Sequence, residues 1–339
     1  MNNELPEGYL DRAPRLEDTE AVVDMFNAAS RKLLGIAQVT VEEQRTEFKV
    51  PGRSLDEDFR VVVAPDGTMA GYIEVFGLSE PFTPLYSWGR VHPAHEGQGV
   101  GSYLLEWAEG RARKALALSA PELRVPLWAF CHTIDDDAQE LFTNQGYKLL
   151  RHNLRMVIEL DKMPAQTAWP EGIVMRTVVP GQDEYPAFVA SREAFEDHFG
   201  HVVRPLEEEF QTWQHRLASS SDYDPSLWFL ALDGEQIAGG SLCFKTVDND
   251  PSFGWVASLS VRRPWRKRGL GLALLQQSIA EFYRRGYRKV GLGVDAENLS
   301  GAVRLYEKAG MHSDPQHQMT IYEKELRSGK DPYTAGCVG

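Results

Sequence analysis

Arg266, Lys267, Arg268, Gly269 and Gly271 follow an apolar run that ends at Val261, and they precede Leu272, Leu275, Ile279 and Phe282, apolar residues spaced as one helical face. The pattern reads as strand, basic glycine turn, helix. Glycines at 269 and 271 let backbone N–H groups turn toward an anion without obstruction by Cβ, and a helix N-terminus adds partial positive charge. A diphosphate suits such a turn. A dinucleotide fingerprint would need a small residue where Leu274 stands, and a P-loop would need Gly-Lys followed by Ser or Thr, which is absent. A second apolar run, Lys289 to Val294, leads to Asn298, Tyr306 and Gly310. Each of these has a plain structural reading: Asn298 as a helix N-cap, Gly310 as a C-cap, Tyr306 as a half-buried aromatic on the face shared with Ala302, Leu305 and Ala309.

The order Arg-x-x-Gly-x-Gly after an apolar strand, followed by Asn298 and the segment Ala302 to Met311, resembles the acetyl-CoA loop and the Asn-to-Leu-Tyr-x-x-x-Gly segment of the GNAT acetyltransferases, with Met311 in the place of a phenylalanine. The resemblance implies direct transfer of acetyl from acetyl-CoA to an amine, with no covalent enzyme intermediate and no metal. It implies a cofactor site made of Leu259, Ser260, Val261, Arg266, Lys267, Arg268, Gly269, Leu270, Gly271, Leu272, Asn298 and Tyr306. Within it, amides from 266 to 271 take the diphosphate, Leu259 to Val261 pair with the pantetheine like an added strand, and an N–H at or beside Val261 polarises the thioester carbonyl. Asn298 then holds the pantetheine arm, and Tyr306 is the general acid.

The general base stays open. Ser252 to Ser260 carries no acidic residue, and the candidates are His198 and its neighbours in Phe195 to Gly200, together with Asp295 and Glu297. Asp197 and His198 are the candidate acceptor-binding residues. The acidic stretches at 196/197 and 207–209 suggest a cationic or zwitterionic acceptor: an amino sugar, an amino-acid conjugate or a peptide N-terminus.

The elements that must position these residues occur twice. Gly8 to Arg12 and Gly172 to Arg176 open two similar stretches, and Phe59 to Phe76 and Leu227 to Phe244 both read as a hairpin about an Asp-Gly turn. Val91 to Gly101 then aligns with Val261 to Gly271, and Leu141-Phe142 with Leu305-Tyr306. The predicted fold class is α/β (α+β): two tandem GNAT domains, each a mixed, mostly antiparallel sheet flanked by four helices, an arrangement similar to that of the mycothiol synthase family. The expected domains are 1–162 and 170–327, with a loose tail at 328–339, and the resemblance places the cofactor where two parallel strands ending near Val261 and Val294 splay apart. The copies differ chemically. Glu96 and Gln98 stand where Arg266 and Arg268 do, Phe142 replaces Tyr306, and Ile134 with Asp135, Asp136 and Asp137 stands where Asn298 does. A carboxylate facing the phosphate site would oppose a diphosphate, so the first domain reads as degenerate and the second as active.

Composition bounds the rest. A formal net charge of −13 argues against nucleic acid or an anionic membrane as partner, and basic clusters at 262–268 and 284–289 on so acidic a chain point to a small polyanion, with a solvated basic face as the alternative. Three scattered cysteines, Cys131, Cys243 and Cys337, imply no disulfide framework or zinc site. The N-terminus lacks a leader pattern and no apolar run is long enough to span a membrane, so a cytoplasmic protein is expected. The leading reading is an N-acetyltransferase for a small-molecule amine. The alternative is a non-catalytic acyl-CoA-binding or sensing protein, against which the retained Tyr306 stands. Acyl-chain preference and oligomeric state are left open.

Overall fold

The computed structural model describes residues 4–297 and 301–333. In chain order the first half gives β1 (Leu10–Arg12), α1 (Thr19–Leu34), α2 (Val41–Glu47), β2 (Phe59–Val63), β3 (Met69–Phe76), β4 (Leu85–Val91), α3 (Val100–Ala115), β5 (Val125–His132), α4 (Asp136–Asn144) and β6 (Lys148–Glu159). The second gives β7 (Ile173–Thr177), α5 (Glu184–Ala194), α6 (Leu206–Ala218), β8 (Tyr223–Asp233), β9 (Gln236–Phe244), β10 (Phe253–Val261), α7 (Leu270–Arg284), β11 (Lys289–Asp295), α8 (Ala302–Lys308), β12 (His312–Ser313) and β13 (Met319–Arg327).

Local sequence accounts for most of these. Thr40 and Glu43 form a capping box that starts α2. The two Asp-Gly hairpins turn at Gly67 and Gly234, both at positive φ. On α3, Val100, Leu104, Leu105, Ala108 and Ala112 recur on one face and are buried against the sheet. The duplication extends to detail: Arg12 of β1 makes a bidentate pair with Asp18 before α1, and Arg176 of β7 makes the same pair with Asp183 before α5.

The chain divides into two compact units, and each draws on separate stretches. Unit 1 holds residues up to 152 with 203–220 and 316–333, and unit 2 holds 153–202 with 221–315. In unit 1, β1 to β4 run antiparallel in sequence order, β4 pairs β5 in parallel, and β13 pairs β5 antiparallel. The core lies on both faces of that sheet, under α3 on one side and under α1 on the other. In unit 2, β7 to β10 run antiparallel, β10 pairs β11 in parallel, and β6 runs antiparallel to β11, with β12 also on β6. Each unit is therefore the expected mixed, mostly antiparallel sheet with helices packed on it.

The last strand of each half is exchanged. β6 follows β5 in the chain yet pairs β11, from Asn153 opposite Asp295 to Glu159 opposite Lys289. β13 follows β11 yet pairs β5, from Met319 opposite His132 to Arg327 opposite Val125. Helix α6 also belongs to unit 1, where His215 Nε2 lies 3.1 Å from the Thr46 carbonyl and Arg216 pairs with Glu47. Among the described residues each half of the chain carries four α-helices, as expected, and α6 of the second half lies in unit 1. The tail is corrected as well. Lys330 and the chain about Glu122 and Arg124 exchange backbone hydrogen bonds of 2.8 Å, and Tyr333 packs edge-on against Trp128, so residues 328–333 belong to unit 1. Residues 334–339 lie outside the described residues. Among the described residues no helix is long and apolar enough to cross a membrane.

Because β13 completes unit 1, a substitution late in the sequence acts on the first sheet. Tyr322 is buried, packs its ring against Phe142 at 5.3 Å and donates to Gln139 Oε1 at 3.1 Å. Tyr322→Ala is expected to lower stability by about 3–4 kcal/mol in denaturant unfolding and to speed amide exchange along β5. An unchanged unfolding midpoint with protected β5 amides would show that β13 does not close that sheet.

Candidate active site

The site in unit 2 begins where two parallel strands stop pairing. β10 and β11 are joined only from Phe253 opposite Lys289 to Trp255 opposite Gly291. Beyond that point β10 continues on β9 as far as Val261 opposite Gly239, and β11 continues on β6 as far as Asp295. A register shift between Val256 and Ser258 puts a bulge in β10 at the start of the parting. The result is a slot with one backbone wall from β10 and one from β11. Leu259, Ser260 and Val261 lie on the first wall. Ser260 is buried, and its hydroxyl reaches the Gly240 carbonyl at 3.5 Å on the β9 side, so the main chain is what this residue offers to the slot.

The glycine turn closes one end of the slot. Lys267 and Gly269 take left-handed backbone conformations, φ 61° and 86°, with Gly269 at the N-cap of α7. Leu270 and Leu272 are buried and anchor the first turn of α7, which leaves its terminal N–H groups directed outward. Gly271 is where α8 approaches: a Cβ there would lie 3.2 Å from Leu305 Cδ1. The helix that carries Tyr306 is thereby held over the turn. Lys267 and Arg268 are exposed, with Arg268 Nη2 donating to the Glu171 carbonyl at 3.4 Å.

Arg266 departs from expectation. Its Nε donates to the Val261 carbonyl at 3.1 Å, its Nη2 to the Ala194 carbonyl at 2.7 Å and to Asp197 Oδ1 at 3.0 Å, and its Nη1 to Asp197 Oδ2. The guanidinium that sequence assigned to an anion is occupied by the end of α5. The same contact removes Asp197 from the acceptor-binding and base candidates: hydrogen bonds from Arg266 hold its carboxyl below the usual range, against the opposing effect of burial. Arg262 repeats the motif one turn earlier, pairing with Glu193 at 2.8 Å. These contacts were missed from sequence, although Glu193 and Asp197, four apart, facing Arg262 and Arg266, four apart, carried a signal. The acidic stretch at 207–209 lies on α6 of unit 1, whereas residues 196 and 197 belong to unit 2.

His198 packs against Phe195, ring centroids 4.6 Å apart, and burial depresses its pKa, so the imidazole is neutral at pH 7. Tyr306 is only 8% exposed, and desolvation pushes its phenol up to about 12. Asp295 accepts from the Glu297 amide at 2.9 Å, turning the chain after β11. Asn298 lies outside the described residues.

Unit 1 repeats the geometry with other chemistry. β4 and β5 part after Ser87 opposite Ala129, and a cleft of about 970 Å³ opens there, lined by both strands, the glycine turn and α4. Gly97 and Gly99 take φ 70° and 85°, and a Cβ at Gly101 would lie 3.0 Å from Leu141, as at Lys267, Gly269 and Gly271. Phe142 packs on Tyr147 and Tyr322 as a core aromatic, and Asp135 caps α4 by accepting from the Ala138 amide. Glu96 does not face the slot as a bare carboxylate. It is ion-paired with Lys32 in the last turn of α1.

Two family models match the chain: the acetyltransferase (GNAT) family over residues 190–311 and the acetyltransferase (GNAT) domain over residues 57–149. A mycothiol acetyltransferase of Streptomyces coelicolor is 30% identical over 302 residues, 87% of this chain and 88% of that protein. A crystal structure of a GCN5-related N-acetyltransferase from Sphaerobacter thermophilus superposes with a TM-score of 0.78 at 35% identity, covering 97% of this chain and 99% of that one. The fold is shared with a tandem GNAT protein from the clavulanic acid biosynthesis pathway, TM-score 0.70 at 16% identity, covering 95% of this chain and all of that one. With two parting strand pairs, two glycine turns and both halves matched, this chain belongs to the GNAT acetyltransferase family as two GNAT domains in tandem.

Proposed function

We propose that the chain is an acetyl-CoA-dependent N-acetyltransferase, working in unit 2 and carrying acetyl to the primary amine of a small molecule by direct attack in a ternary complex. The observation that carries this reading is the slot that opens past Trp255 and Gly291 and ends on the left-handed turn at Lys267 and Gly269. The residues fit the co-substrate. Main-chain groups of Leu259 to Val261, released from pairing on the β11 side, suit the two amides of a pantetheine arm. The N–H groups at the start of α7, with the exposed charges of Lys267 and Arg268, suit a diphosphate. When bound, acetyl-CoA supplies the activated acyl group. Relatives named mycothiol acetyltransferase support a small-molecule amine as acceptor.

In this reading an N–H at or beside Val261 stabilises negative charge on the carbonyl oxygen. Tyr306 supplies an O–H to the sulfur as it departs. At a pKa of about 12, against about 8.5 for a free thiol, full proton transfer from the phenol is uphill, so the hydroxyl serves chiefly as a hydrogen-bond donor whose contribution is moderate. Neutral His198 is the base candidate that unit 2 retains once Asp197 is engaged, with Asp295 and Glu297 beside β11 as the others. The competing reading, a non-catalytic acyl-CoA sensor, gives no reason to bury a phenol at 306. An acceptor panel of amino sugars, amino-acid conjugates and peptides, read by free-thiol release from acetyl-CoA, is expected to show turnover with at least one amine. Tight acetyl-CoA binding without thiol release across the panel would favour the sensor.

Two further outcomes are expected. Lys267→Glu combined with Arg268→Glu weakens acetyl-CoA binding in calorimetry by roughly tenfold or more at low salt, and the difference shrinks as salt is raised; equal affinity would place the diphosphate elsewhere. Tyr306→Phe keeps the ring and its packing, and it lowers kcat by roughly ten- to a thousandfold with acetyl-CoA affinity little changed. Because burial raises the phenol to about 12, it is expected to be protonated at pH 10, and loss of activity near pH 10 is not expected to come from it. A descending limb near pH 10 that disappears in Tyr306→Phe would contradict this assignment.

A further inference from the structure

In both units the side chain that opens the glycine turn is ion-paired with the end of that unit's first helix, and the polarity is reversed between them. In unit 1 the turn supplies the carboxylate of Glu96 and the last turn of α1 supplies Lys32. In unit 2 the turn supplies the guanidinium of Arg266, and Asp197, three residues past the end of α5, supplies the carboxylate. We propose that this pair is a latch: Asp197 and Arg266 are positioning residues that fix the turn of unit 2 against the end of α5, and Arg266 is not a ligand of the diphosphate.

The geometry of Arg266 supports this directly. Four of the five guanidinium N–H groups are committed, one each to Val261 and Ala194 carbonyls and two to Asp197. Bidentate recognition of a phosphate needs two parallel N–H groups from one fork, and that fork is filled. The Ala194 carbonyl is one of the orphan acceptors at the C-terminus of α5, where the helix dipole favours a cation. Arg263 Nε, 3.7 Å from Asp197, and the Arg262–Glu193 pair place further charges of the same sense along the same seam. Arg262, Arg263 and Arg266 therefore face carboxylates of their own unit. The exposed Lys267 and Arg268 remain for an outside anion. The reversed pair in unit 1 fits the same logic: a lysine on the last turn of α1 complements its own helix dipole, so the turn must answer with an acid. Glu96 in place of Arg266 is thus a change of polarity in a structural pair, and it does not decide whether a turn accepts an anion.

The functional part of this inference rests on the acetyl-CoA reading, whereas the latch itself does not. The test transplants the pair of unit 1 into unit 2. Arg266→Glu sets two carboxylates together, Asp197→Lys sets two cations together, and Asp197→Lys with Arg266→Glu restores an ion pair of opposite polarity. Each single variant is expected to lower the melting temperature of the unliganded protein, to speed amide exchange at residues 262–268, and to raise the KM for acetyl-CoA and its calorimetric Kd by roughly tenfold with kcat at saturation little changed. The double variant is expected to recover exchange protection and to return Kd to within roughly threefold of the parent. Recovery of melting temperature and protection with Kd still as weak as in Arg266→Glu would make Arg266 a direct ligand and overturn the assignment. Additive loss of stability in the double variant would overturn the latch. Failure of the parent to bind acetyl-CoA at all would sink the proposed function alone, since melting and exchange still judge the latch.

Discussion

A strand that leaves its neighbour must find other partners for its N–H and C=O groups, and the parting of β10 from β11 beyond Trp255 and Gly291 sets that requirement for unit 2. Each strand keeps one paired edge, β10 on β9 and β11 on β6, while the edges that face each other no longer pair with one another. The bulge after Val256 starts the divergence, and the buried first turn of α7 fixes where it ends. The slot is therefore built by strand pairing rather than by loop shape. Unit 1 parts in the same way after Ser87 and Ala129 and opens a cleft, which shows that the geometry survives wide changes in the side chains around it.

What the two units do not share is charge. The turn of unit 2 presents Lys267 and Arg268 outward, and that of unit 1 presents Gly97 and Gln98, with Gln98 accepting from Tyr9 and donating to the Ala94 carbonyl. Backbone conformation is almost identical at these positions, so a left-handed lysine carries strain in unit 2 that a glycine avoids in unit 1. Retaining a cation there at such a cost agrees with a charged ligand on that side. The same comparison separates side chains that hold the turn from those left to meet a ligand, since Glu96 and Arg266 are both consumed internally.

Much of this was legible in the residues. The glycine turns, the Asp-Gly hairpins and the duplication are written in the residues themselves, because backbone conformation acts over a few residues, whereas the parting of the strands followed only from the family resemblance. The engagement of Arg266 was not, since the partner of an ion pair is fixed by where two distant segments meet. Sequence showed a basic cluster and took its exposure for granted. The strand exchange was hidden for a related reason: the residues of a strand do not say which neighbour it selects, and neither β6 nor β13 carries a clean alternation that would tie it to one sheet.

Between two similar halves, something must make β13 choose β5 and β6 choose β11, and the side chains supply it. Glu323 on β13 accepts from both Arg124 and the indole of Trp128, Glu325 accepts from Arg124, and Lys324 donates to Glu109 of α3. All of those partners lie in unit 1. On β6, Arg155 stacks over the rings of Phe253 and Trp255 at 5.6 and 5.1 Å and pairs with Asp248, all in unit 2. Main-chain pairing alone would let either strand close either sheet, whereas the largely buried charges of Glu323 and Arg155 find their partners in the units they join. Main-chain hydrogen bonding thus makes a last strand necessary to each unit, and a handful of ion pairs decides which one arrives.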